Sequence, residues 1–173
     1  MKNKSVVLCG LFAALISLCS WIAIPMAVPF TMQTFGIFSA LLMLGGKRGT
    51  VSISVYILVG AAGLPVFAGF QGGIGVILSP LGGYILGFAA MGLVYLLVTE
   101  FFGEKMSVKA VGLIAGLAVC YFIGTLWYML FSKGTDFGTA VSVCVVPFLI
   151  PDAVKIFLAL MMSKRILAYA ADI

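Results

Sequence analysis

The sequence predicts an all-α membrane protein, a single six-transmembrane-helix bundle over residues 1–173 with both termini cytoplasmic. Three observations carry this. The chain is 64% hydrophobic and 9% charged, with a mean hydropathy of +1.28. That is far from the composition of soluble domains, so water is not the solvent for most of the surface. The apolar residues gather into six runs, 6–24, 32–44, 51–63, 82–98, 108–131 and 140–162, with no soluble domain between them. The basic residues fall between runs: an N-terminus inside puts Lys2, Lys4, Lys47, Arg48, Lys105, Lys109, Lys164 and Arg165 on the cytoplasmic side. Lys133 then lies outside and Lys155 within a span. This bias sets orientation in a multi-pass protein of a bacterial cell membrane. It accounts for the net charge of +5 without a nucleic-acid partner.

The first run follows a Lys-rich start but leads to no small-residue cleavage site, and Leu18 before Cys19 matches a lipoprotein box poorly, so it reads as a retained span. Gly10 with Ala14 and Ala13 with Ser17 place small residues four apart, a strip that suits close helix packing inside the bundle or docking of a second protein. Between spans one and two, Pro25 and Pro29 hold the chain extended. Runs 32–44 and 51–63 are shorter than the roughly 20 residues a crossing needs. Irregular backbone must continue them, tolerated at membrane depth only where it is buried or lines a cavity. Residues 64–80 interleave Gly69, Gly72, Gly73 and Gly75 with Phe67, Phe70 and Gln71. The segment is too apolar for a solvated loop and reads as a lid whose glycines bring backbone N–H groups close to a ligand. Spans four and five carry Gly83 with Gly87 and the ladder Gly112, Gly116, Cys120, Gly124, read as internal packing. Trp21, Trp127 and Tyr128 fit the external aromatic belt.

Several chemistries lack their parts. There is no histidine, and Glu100, Glu104, Asp136 and Asp172 sit at span ends, in loops or in the tail, which excludes a hydrolytic metal centre or a histidine triad. The stretch Gly45-Gly46-Lys47-Arg48-Gly49-Thr50 fails as a phosphate-binding loop because Arg48, not Ser or Thr, follows the Lys. Uphill transport would therefore draw on a partner or an ion gradient. Cys9, Cys19, Cys120 and Cys144 have no metal-ligand spacing and read as small packing residues.

The sharpest signal is Pro147-Phe148-Leu149-Ile150-Pro151-Asp152-Ala153-Val154-Lys155, two charges inside the last apolar run. Pro151 suits the first turn of a fresh helix, which places the start of the sixth span near it, Asp152 in the first turn and Lys155 on the same face. Intramembrane charges face the bundle interior and mark substrate pathways, although the pair could also serve only to neutralise itself. With Gln33 at the start of span two, it describes a mostly apolar cavity for a small ligand with a few hydrogen-bonding groups.

Taken with Pro29-Phe30-Thr31-Met32-Gln33-Thr34, with residues 60–69 (Gly-Ala-Ala-Gly-Leu-Pro-Val-Phe-Ala-Gly) and with residues 80–88 (Pro-Leu-Gly-Gly-Tyr-Ile-Leu-Gly-Phe), the Pro-Asp-x-x-Lys unit resembles the BioY family. These are the biotin-specific substrate-binding (S) components of energy-coupling factor (ECF) transporters. The resemblance implies an S component, not an enzyme, that binds biotin at its outer face and needs no cofactor. It implies association with a transmembrane coupling protein and two ATPase subunits, the strip Gly10, Ala13, Ala14, Ser17 meeting the coupling protein. The family's ligand contacts correspond to Gln33, Asp152 and Lys155, with Gln71 in the lid; many relatives have Gly where Pro151 precedes the Asp. Asp152 is expected to accept from a ureido N–H of biotin, Lys155 and Gln33 to donate to ligand oxygens, and lid N–H groups such as that of Gly73 to meet the carboxylate, with Phe67 and Tyr84 as apolar contacts. Which end of biotin faces Lys155 stays open. An S component for a different vitamin and an autonomous membrane facilitator stay as alternatives.

Overall fold

The computed structural model describes residues 2–26, 28–132 and 134–171, with side chains between residues 3 and 166. The charges expected at Lys133 and Asp172, and the side chain of Lys2, lie outside the described residues. Among the described residues, five helical stretches are long and apolar enough to cross a membrane: Asn3–Trp21, Gln33–Ala61, Gly82–Phe102, Met106–Phe131 and Phe137–Ile166. In chain order the elements are α1 (Lys2–Trp21), β1 (Ala23–Ile24), β2 (Phe30–Thr31), α2 (Gln33–Ala61), a 3₁₀ turn (Ala68–Phe70), α3 (Ile74–Ile77), α4 (Gly82–Phe102), α5 (Met106–Phe131), α6 (Phe137–Cys144) and α7 (Val146–Ala171).

The two short central runs appear as one element that doubles back. Gly45 at φ 80°, ψ 169° breaks α2, a conformation open to glycine because it has no Cβ. The halves 33–44 and 46–61 then run side by side: the Gln33 amide donates to Tyr56 Oη at 2.8 Å. In a straight helix those residues would stand about 34 Å apart. The first half is short for a crossing, yet residues 36–42 are all buried. Protein, not lipid, surrounds it, which is how a short helix survives at that depth.

α1 packs its Phe12, Ile16 and Cys19 face on α2, with Gly36 approaching the Ile16 backbone. The glycine ladder of α5 packs internally, as expected. Gly112, Gly116 and Gly124 lie against Tyr95, Met91 and Tyr84 of α4, and Gly87 of α4 lies against Cys120.

The last element departs from expectation. α7 begins at Val146, and Pro151 sits inside it. Pro147, one residue after the start, occupies a position whose N–H is not needed, so it and not Pro151 sets the boundary. Asp152 is therefore the seventh residue of α7, beyond the first turn, and the helix dipole does not account for its charge. α6 is a separate helix capped by Asp136, whose carboxylate accepts from the Thr139 amide at 3.1 Å and hydroxyl at 2.6 Å. These bonds hold the Asp136 carboxyl below its ordinary value.

A cavity around a buried Asp–Lys pair

The extended link after α1 closes as a two-residue antiparallel pair, Ala23 facing Thr31 and Ile24 facing Phe30. It delivers the Thr31 carbonyl to α7, where Lys155 Nζ bonds it at 2.8 Å. The ammonium also donates to Thr34 Oγ1 at 3.1 Å and Asp152 Oδ1 at 2.7 Å, and lies 4.3 Å from the centre of the Phe30 ring. An ammonium has three N–H donors, and all three are spent on protein. Asp152 receives Thr34 Oγ1 at 2.9 Å on Oδ1 and Tyr121 Oη at 2.6 Å on Oδ2. Both charged side chains are almost wholly buried, 5% and 3% exposed. Three elements and the short ribbon thus meet at one ion pair.

This cluster forms one wall of a cavity of about 750 Å³, its open mouth included. Of the residues expected at a site, Gln33, Phe67, Gln71, Tyr84, Asp152 and Lys155 all line it. Gly73 does not: its N–H is spent on Gly60 O at 2.7 Å, pinning the lid instead of facing the cavity. Apolar walls come from Val76, Ile85, Phe88, Leu117 and Phe148. Gln33 gives an N–H to Tyr56, and Tyr84 Oη donates to Cys144 O at 3.2 Å.

The lid, residues 64–80, is fastened at both ends. Ser20 Oγ donates to Val66 O at 2.5 Å, Trp21 Nε1 to Pro65 O at 2.8 Å, and Trp127 Nε1 to Ser79 O at 2.9 Å. Phe70 stacks on Trp21 with centroids 5.0 Å apart and holds a positive φ of 58°. The Phe67 ring, 2% exposed, sits edge-on to Tyr56. Two residues read as interface belt are therefore anchors of the lid.

The family model for the BioY family matches residues 1–172. The chain belongs to the BioY family. It is 38% identical to the biotin transporter BioY of Thermotoga maritima over 94% of this chain and 95% of that one. With the probable biotin transporter BioY of Pyrococcus horikoshii it shares 40% identity over 96% and 98%. Among solved structures, the S component for biotin from an ECF-type ABC transporter superposes with a TM-score of 0.85 at 24% identity, covering 95% of this chain and 91% of that one. The S component of a bacterial ECF transporter gives 0.69 at 14%, covering 98% and 99%. Both structural likenesses concern the fold.

Sequence reasoning missed Thr34, Tyr121 and the Thr31 carbonyl, which complete the polar cluster, and the place of Cys120 and Cys144 in the cavity wall. Thr34 stands beside Gln33 in the segment Pro29–Thr34; nothing local marks Tyr121. The small-residue strip of α1 divides: Ala13 and Ser17 are buried in the bundle, 7% and 8% exposed, whereas Gly10 and Ala14 face outward.

Proposed function

We propose that this chain captures biotin for uptake by an ECF transporter, as its S component in the cell membrane. The observation that carries the reading is the largely apolar cavity with a single neutralised polar cluster at Asp152, Lys155, Thr34 and Tyr121, in a member of this family. Biotin offers an apolar thioether ring and chain, two ureido N–H donors and a terminal carboxylate. A mostly apolar cavity with few polar groups is the form a site for such a molecule takes. Asp152 accepts from the ureido ring, and the carboxylate lies toward Gln71 and the lid. Lys155 acts through Asp152, holding the carboxylate in place, since its own donors are occupied.

The finer topology follows. The two halves of α2 each count as a crossing, giving six, with both termini cytoplasmic. Supporting this, the ion pair Lys47–Glu100 and the Cys9 thiol on Arg48 O gather the starts of α1 and the α2 turn with the end of α4 at the face opposite the lid, where Lys105 and Lys109 also sit. The cavity then opens outward. A transmembrane coupling protein and two ATPases supply the energy, and the outward residues Gly10 and Ala14 of α1 are the part of the strip left to meet the coupling protein.

Calorimetric titration of the detergent-solubilised chain with biotin tests the reading, repeated with Asp152→Asn. Asp152→Asn replaces a charged acceptor for the ureido N–H by a neutral one, a loss of about 1.5–3 kcal/mol, so saturable binding should weaken by about tenfold or more. Absence of biotin binding by the wild-type chain would overturn the function; unchanged affinity in the variant would overturn the role of Asp152 alone.

A further inference from the structure

Tyr121 is the contact of α5 with the buried pair, and its proton is committed. At 2.6 Å from Asp152 Oδ2 the phenol is the donor, because a carboxylate can only accept, and a bond of this length to a charged acceptor is among the stronger kinds. A phenol has one proton to give. What Tyr121 retains for the cavity it lines is therefore lone pairs. The same holds for Tyr84, whose proton goes to Cys144 O. Asp152 Oδ1 already receives two donors, from Thr34 and Lys155, and Oδ2 one, from Tyr121. Oδ2 thus keeps acceptor capacity directly beside the Tyr121 oxygen. Lys155 has no donor left to offer there.

We infer that Tyr121 is a specificity-determining residue: with Asp152 Oδ2 it forms a patch of adjacent acceptors that admits a ligand N–H and repels a ligand oxygen. The inference rests on the biotin reading and deepens it, giving the Tyr121 hydroxyl a share, beside Asp152 Oδ2, in the discrimination between N–H and oxygen. Its hydroxyl does two things. It fixes the Asp152 carboxylate from the α5 side, opposite the grip of Thr34 and Lys155, and it adds a second acceptor next to the one it fixes. A ligand with an ether-type oxygen in place of the ring N–H would set lone pair against lone pair in a low-dielectric site, where an unmade hydrogen bond carries its full penalty.

The test uses the full chain and two probes, biotin and the analogue whose ureido ring carries oxygen in place of one N–H. In the wild-type chain the analogue should bind at least about a hundredfold more weakly than biotin; a difference within threefold overturns the inference without any variant. In Tyr121→Phe, which keeps the ring, biotin affinity should fall about tenfold or more, and the biotin-to-analogue ratio should shrink by a similar factor. A purely structural role would weaken both ligands equally, and an unchanged ratio overturns the assignment of Tyr121 while leaving the biotin reading intact. Failure of biotin itself to bind the wild-type chain overturns both.

Discussion

Lys155 and Asp152 are legible in the sequence because two charges in a run of apolar residues have no bland explanation at that density. Their partners are not. Tyr121 lies 31 residues from Asp152 and Thr34 lies 118 away, and each is an ordinary residue for a helix of its composition. Only the fold reveals that all three donors of the ammonium are engaged and that both charges are buried, and this burial sets the expected energetics. Losing Lys155 leaves a carboxylate buried without its counter-charge, and losing the Asp152 charge leaves an ammonium in the same position; each costs roughly 3–5 kcal/mol. Removing both charges should cost less than removing either. In a ligand-free thermal unfolding series in detergent, Asp152→Asn combined with Lys155→Met should therefore melt above each single variant. A double variant that melts at the sum of the two losses would show that the residues act independently.

At the scale of elements, the lid was recognisable from its composition, since no solvated loop mixes glycines with so many aromatic and aliphatic residues. How it is held was not recognisable, because an indole near a span end fits an interface belt equally well. The misplaced start of α7 has a similar origin: two prolines four residues apart each suit a helix start, and periodicity does not choose between them. The fastening of the lid has a kinetic consequence. Trp21→Phe keeps a ring to stack on Phe70 but removes the N–H bound to Pro65 O. A hydrogen bond of this kind contributes about 0.5–1.5 kcal/mol net, so labelled biotin should dissociate a few-fold faster, with the association rate nearly unchanged. Equal dissociation from both forms would mean that the lid opens without breaking this contact.

For the whole molecule, composition and run spacing are enough to read a membrane bundle, and the two short runs stand out as too short for independent straight helices. The hairpin that joins them at Gly45, and the burial that makes its first half tolerable, follow from packing that local sequence does not encode. The chain has two tryptophans; both hold an end of the lid, and neither is among the residues lining the cavity. Intrinsic emission is therefore blind to the ligand as a neighbour and sensitive to the cover above it. Biotin entering a molecule already shut should leave the spectrum almost unshifted while heat is still released, and a clear spectral shift on binding should mean that the cover was open beforehand. The protein carries its own optical gauge of closure, which reads how far the entrance is shut and not how full the chamber is.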